Sequence, residues 1–231
     1  RNAHEPLVTL GRLLDFFESI ARRTAYLSLL TEYPAAAKRL LHMLDASEWA
    51  ARYLTRHPIL LDELLDARTL MAPPDWSFFT SELDSQLENQ RGDTELLMDT
   101  LREAHHAQLF RFLAQDLAGG LTVERLADHL SKLADIMVEA TLREVWRAMP
   151  KRHRDTPRFA VIAYGKLGGK ELGYASDLDL IFLYDDDHPD APMLYTRLAQ
   201  RFITWMTSPT SAGILFDIDV ALRPDGASGL M

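Results

Sequence analysis

Two aspartates one residue apart, Asp177 and Asp179, stand at the head of LDLIFLY (178–184), an apolar run otherwise suited to burial. Residues two apart in a strand point to the same side, so as a strand this stretch brings both carboxylates to one spot. Carboxylates that close repel unless a cation sits between them. Oxygen-only ligands favour a hard ion, Mg²⁺ or Mn²⁺. The plainer alternative is an Asp pair that merely solubilises a strand end.

The residues before this pair read AYGKLGGKELGYAS (163–176), a glycine-rich turn that follows the apolar run FAVIAY (159–164). A Walker loop needs four residues between its glycines and then Lys and Ser or Thr. Here three residues separate Gly165 from Gly169, and Glu171 stands where the hydroxyl belongs. A dinucleotide fingerprint fails as well, because no Gly follows Gly165 two residues on. What survives is the pair Gly168-Gly169 on a strand-to-helix turn, able to bring backbone N–H groups close to phosphate oxygens. Lys166 and Lys170 flank it and can reach a triphosphate, although an acidic protein exposes lysines on turns in any case.

A third apolar run, GILFDIDV (213–220), carries Asp217 and Asp219 on a shared face. If it lies beside the second strand, one of the two joins Asp177 and Asp179, and sequence physics leaves open which. Three carboxylates on adjacent strands opposite a Gly-Gly turn suit a metal-bound triphosphate. The matching chemistry is nucleotidyl transfer, in which two ions about 4 Å apart clamp the attacking and leaving oxygens.

Upstream, the grammar is helical almost throughout. Leu10, Leu13, Leu14, Phe17 and Ala21 keep the spacing of an amphipathic helix, and a second run starts near Pro34 with Leu40, Leu41 and Leu44. Ser47 can cap EWAARYL, and Pro58 can start a helix over ILLDELLDA. Residues 67–76, with Pro73 and Pro74, read as a linker. Helices are expected over about 77–90, 94–117 and 122–148, the last with Leu126, Leu130, Leu133, Met137, Ala140 and Val145 on one face and Thr122 as its cap. MLYTRLAQRFITWM (193–206) reads as a helix between the second and third strands, with Met193, Trp205 and Met206 packed on the sheet. The chain is therefore expected to be α+β, with a helical region at 1–157 and a strand-bearing core at 158–231.

The charge balance narrows the partners. Net charge is −9, and from Arg158 onward six Lys and Arg face ten Asp and Glu. Neither part has the basic stripe of a nucleic-acid binder. There is no Cys, so disulfides and thiolate metal sites are excluded and a reducing, cytoplasmic setting is expected. No run approaches a membrane span, and RNAHEPL has no signal-peptide pattern. The absence of an initiator Met and the ending DGASGLM mark the chain as part of something longer. His105-His106 lacks the spacing of a zinc protease and reads as surface or partly buried. KRHR (151–154) can meet phosphate but is more simply a solvated loop.

Gly-Gly, seven residues, Asp-x-Asp and a distal Asp resemble the nucleotidyltransferase superfamily of the polymerase-β type. The fuller strings YGKLGGKELGYASDLDLIFLYD and TSAGILFDIDVALRP, with RHPILLDELLD (56–66), are similar to the glutamine synthetase adenylyltransferases, over nearly the whole chain. That resemblance implies a polymerase-β-like core with a small mixed sheet, incomplete at its carboxy-terminal end. It implies ATP as substrate, Mg²⁺ or Mn²⁺ as cofactor, and glutamine synthetase and a PII-type nitrogen regulator as partners. By the family motif Asp219, rather than Asp217, joins Asp177 and Asp179 at the ions, while Gly168, Gly169, Ser176, Lys166 and Arg223 serve the nucleotide. The similarity is to the half that attaches AMP. The phosphorolytic half that removes it, or a docking module without turnover, are the alternatives. Ala221 departs from the family, which has Arg there.

Overall fold

The computed structural model describes residues 6–219 and is mostly helical. Five helices come first: α1 (Pro6–Ile20), α2 (Thr24–Glu32), α3 (Pro34–Ala46), α4 (Glu48–Arg56) and α5 (Ala67–Met71). Then follow α6 (Trp76–Asn89), α7 (Thr94–Leu117) and α8 (Val123–Ala148). The remainder alternates: β1 (Phe159–Ala163), the single-turn α9 (Gly165–Gly168), β2 (Leu178–Tyr184), α10 (Ala191–Thr207) and β3 (Ile218–Asp219).

The chain folds into two compact units. The first holds residues up to Pro74 together with His106–Thr122; the second holds Asp75–His105 and Val123 onward. The expected change of grammar near residue 157 falls within the second unit.

Local chemistry sets most helix starts in the first unit. Pro34 opens α3, and the Ser47 hydroxyl accepts from the Ala50 amide at 3.2 Å to cap α4. Its core gathers Phe16, Ile20, Leu40, Leu44, Leu54 and Leu61, all at most 1% exposed. This corrects the face read for α1. Leu10, Leu14 and Phe17 are exposed, while Phe16 and Ile20 go inside. The Arg12 guanidinium donates to the Leu44 carbonyl at 2.8 Å and the Thr9 hydroxyl to Asp45 at 2.7 Å. These bonds rotate α1 about its axis, a choice that a helix rich in Leu on several sides leaves open.

Two further expectations change. The helix after Pro58 is a 3₁₀ turn, Pro58–Leu64, and ends before the expected Ala67. Residues 67–76 are not a plain linker: Asp66 caps α5 by accepting from the Arg68 amide at 2.9 Å. The Gln115 side-chain amide also donates to the carbonyls of Leu70 and Ala72, both at 3.0 Å.

In the second unit, α8 buries Leu130, Leu133, Met137, Ala140 and Val145 as its spacing predicts. The sheet has the order β1-β2-β3 and is mixed. β1 runs antiparallel to β2, from Phe159 opposite Tyr184 to Ala163 opposite Leu180. β2 runs parallel to β3, which requires a crossover, and α10 supplies it. α10 presses Tyr195, Leu198, Phe202 and Met206 inward, and Trp205 is buried as expected, whereas Met193 is half-exposed.

The third strand is shorter than its apolar run. The amides of Leu215 and Phe216 both donate to the Met206 carbonyl at 3.1 Å, tying that segment to the end of α10 instead of the sheet. Among the described residues only Ile218 and Asp219 join the ladder as β3. His105 and His106 are buried, not surface residues: His105 meets the Phe216 ring at 4.6 Å, and His106 packs with Tyr53 and His57 in the first unit.

Candidate active site

β2 alternates as a half-buried strand must. Leu178 and Leu180 point into the core at no more than 2% exposure, so Asp179 lies on the opposite face. Asp177 precedes the strand and is exposed, its side chain at 49%. In the parallel ladder Asp179 pairs with Asp219, and the Leu178 amide donates to the Asp217 carbonyl at 2.9 Å. Neighbouring strands lie about 4.8 Å apart. The register therefore sets Asp219, and not Asp217, directly beside Asp179.

The turn after β1 meets the same strand. The Tyr164 amide donates to the Asp179 carbonyl at 2.9 Å and stitches the end of β1 to β2. Gly165 follows in the left-handed region, φ +51°, where a Cβ would stand 2.0 Å from Asp179 Oδ2. In the sequence Gly165 figures in a failed phosphate motif and in the family string, and neither reveals this role. Its position immediately after a strand was the available signal.

α9 closes on itself. The amides of Gly168 and Gly169 donate to the carbonyls of Tyr164 and Gly165 at 3.0 and 2.9 Å. The Lys170 and Glu171 amides return to Leu167 and Lys166, the paired bonds of a Schellman helix end. Lys170 occupies the left-handed position of that end at φ +56°. The amides expected to cradle phosphate are thus engaged in the turn, and Gly168 and Gly169 are exposed. Gly168 has a packing reason too, since a Cβ there would come within 2.6 Å of the Ala163 carbonyl oxygen.

Lys166 Nζ lies 3.8 Å from Asp177 Oδ1, both side chains about half-exposed, so the pair is weak but local. The Lys170 charge acts instead on Asp135 of α8, opposing the burial that pushes the Asp135 carboxyl up. The Ser176 hydroxyl accepts from the Gly173 amide at 2.9 Å and holds the loop that leads to Asp177. Arg223 and Ala221 lie outside the described residues. Among the described residues no three acidic or His side chains stand together as ready ligands for one ion. The donor chemistry at Asp177, Asp179 and Asp219 is all carboxylate and fits a hard divalent cation.

In KRHR, Lys151 and Arg152 are exposed as a solvated loop would have them, but His153 and Arg154 are engaged. Asp186, just past β2 and 2% exposed, accepts from Tyr195 Oη at 2.7 Å and meets His153 Nε2 at 2.9 Å and Arg154 Nε at 3.1 Å. The Tyr195 hydroxyl in turn accepts from the Arg158 amide at 3.0 Å. This clamp fastens the entry to β1, the exit of β2 and α10.

Arg102 of α7 has no counterpart in the sequence reading. It is fully buried, and its guanidinium donates to the carbonyls of Gly213 and Met98 at 2.8 Å, Trp205 at 2.7 Å and Ser208 at 2.6 Å. The Ser211 hydroxyl donates to Asp99 at 2.8 Å beside it. Together they hold the turn that delivers the chain from α10 to β3, and hence to Asp219.

Residues 37–231 match the family model described as glutamate-ammonia ligase adenylyltransferase. The chain is 60% identical over 223 residues to the bifunctional glutamine synthetase adenylyltransferase/adenylyl-removing enzyme of Chromobacterium violaceum, covering 96% of this chain and 25% of that protein. To the like-named protein of Aromatoleum aromaticum it is 60% identical over 226 residues, 98% of this chain and 24% of the other. For Neisseria meningitidis serogroup A the identity is 53% over 228 residues, 99% of this chain and 25% of the other. The chain spans about a quarter of the length of the curated relatives it matches. With a match across most of its length, this chain belongs to the glutamate-ammonia ligase adenylyltransferase family.

Proposed function

We propose that this chain carries a nucleotidyltransferase site of the polymerase-β type, which transfers AMP from ATP to a tyrosine of glutamine synthetase and releases pyrophosphate. The observation that carries the reading is the register pair Asp179 and Asp219, with Asp179 seated against Gly165 at the mouth of the glycine turn. The relatives' printed names supply the acceptor protein and the transferred group.

In this proposal the triphosphate lies over the exposed turn at Gly168 and Gly169, with Lys166 and Arg223 offsetting its charge. Ser176 keeps a hydroxyl hydrogen to donate to a phosphate oxygen while it accepts from Gly173. Asp177, Asp179 and Asp219 are the ligands of Mg²⁺ or Mn²⁺. Bound there, the ions supply charge neutralisation and acidify the incoming tyrosine hydroxyl. The protein's share is position: the ladder sets the spacing of two carboxylates, and the loop from Gly173 to Ser176 sets the third. ATP, glutamine synthetase and a PII-type regulator are its proposed partners.

Asp177→Asn and Asp179→Asn, near-isosteric changes, test it. Each is expected to abolish incorporation of labelled AMP into glutamine synthetase while leaving the circular dichroism and melting curve unchanged. Incorporation at the wild-type rate by either variant rejects the assignment. The relatives' names also include adenylyl removal, which would use the same carboxylates in reverse. Supplying adenylylated glutamine synthetase with orthophosphate and measuring ADP separates the two directions.

A further inference from the structure

The first unit contains an open cavity of about 310 Å³ between α3, α5 and the end of α7. Met43, Leu70, Met71 and Leu117 supply its apolar walls, and Lys38 and His42, one helical turn apart on α3, stand at its edge. None of the residues lining it is acidic. Among the described residues neither the Lys38 nor the His42 side chain engages in a hydrogen bond or an ion pair. Two uncommitted basic groups beside an apolar hollow are notable on a chain of net charge −9.

The walls are held independently of any occupant. Arg39 Nε donates to the Leu64 carbonyl at 3.0 Å, fixing α3 against the 3₁₀ turn, and Gln115, itself buried, holds the carboxy-terminal end of α5 through the Leu70 and Ala72 carbonyls. A hollow of this volume with pinned walls has the size and the apolar lining of a small-molecule site.

We propose that this cavity binds a small amphipathic monoanion, an apolar chain or ring bearing one carboxylate. The apolar part lies on Met43, Leu70 and Leu117, and the carboxylate lies at Lys38 and His42. A docked protein helix sets its anchors over several turns. α3 lines the cavity only from Ala35 to Met43, about 12 Å of helix. The site belongs to the first unit and the carboxylates of the proposed transferase site to the second, so either reading can fail alone.

Methionine-methyl NMR on the 231-residue chain tests it, with octanoate as the probe and octylamine as its opposite-charge control. Octanoate is expected to shift the Met43 and Met71 methyls saturably and to leave Met137 and Met206, buried in the second unit, unmoved. Octylamine is expected not to bind. Lys38→Glu, at an exposed position, should weaken octanoate at least about tenfold, and Ala118→Trp, at the exposed end of the lining, should block it. Absence of saturation, equal binding of octylamine, matching shifts at Met137 and Met206, or unchanged affinity in Lys38→Glu each overturns the proposal. Saturation of the same methyls by an acidic amphipathic peptide but not by octanoate overturns it too, and assigns the cavity to a protein segment.

Discussion

The carboxylate of Asp179 fills the volume that any side chain on Gly165 would claim. A methyl at Gly165 forces Asp179 to rotate, since both Oδ2 and Cγ stand within 3.0 Å of the would-be Cβ. Gly165→Ala also places an L residue at a left-handed φ, worth roughly 1–2 kcal/mol. Gly92→Ala isolates that second effect, because Gly92 has φ +97° and nothing within 4 Å of its Cβ position. On the proposed function, AMP transfer is expected to drop on the order of 100-fold in Gly165→Ala, the scale of a misplaced reacting group. Gly92→Ala should keep its activity. Equal rates in the two variants would show that the seat of Asp179 is immaterial.

Gly168 and Gly169 should separate by stability. A Cβ on Gly168 meets the Ala163 carbonyl oxygen at 2.6 Å, a backbone atom of β1 that cannot swing aside. On Gly169 it meets the Gly165 carbonyl oxygen at 3.3 Å, which a small shift relieves. Urea unfolding is expected to show Gly168→Ala destabilised by about 1–3 kcal/mol and Gly169→Ala by less. If phosphates ride over the turn, Gly169→Ala raises the KM for ATP at nearly unchanged stability.

Arg102→Met removes the guanidinium donors from four backbone carbonyls, of which Gly213 keeps the Thr210 amide at 2.9 Å. Unmet buried acceptors each cost about 1–3 kcal/mol, so a loss of at least about 3 kcal/mol is expected in denaturant titration. Arg102→Lys should recover little, because an ammonium has three donors on one atom and cannot span the fork. A Lys variant with wild-type stability would contradict the role assigned to the guanidinium.

The Asp186 clamp predicts an acid dependence. The Tyr195 hydroxyl, with the His188 amide, His153 and the Arg154 charge, holds the Asp186 carboxyl well below its ordinary range against the opposing effect of burial. A depressed folded pKa stabilises the protein above the unfolded value of about 3.9. That contribution fades as pH falls through the lower folded value. Wild type should therefore lose more stability than Asp186→Asn between neutral pH and pH below about 4. Equal acid sensitivity of the two proteins in urea midpoints would remove Asp186 from this role.

Elements whose signals are local were legible from the residues alone. The Ser47 cap, the Pro34 start, the buried face of α8 and the strand runs at 159 and 178 all follow from spacing or capping chemistry. The apolar face of α1 was misread because Leu and Phe occupy more than one side of it, and the choice fell to Arg12 and Thr9 reaching α3 and its end. The apolar run at 213–220 is longer than its strand because apolarity cannot tell a ladder from a segment bonded to the Met206 carbonyl. KRHR was read as solvated because Asp186 is 32 residues from Arg154 in the chain.

The order of residues is enough to establish the change from helical to strand periodicity, the acidic balance, the family strings and the spacing of Asp177 and Asp179 at the head of an apolar run. These depend on neighbours a few positions apart, where backbone geometry is uniform. The pairing of Asp219 with Asp179 across the ladder, the seat of Asp179 against Gly165, and the hold of Arg102 on the turn before β3 came from folding. Each joins groups far apart in the chain, and such contacts are selected by packing and by the need to satisfy buried polar atoms.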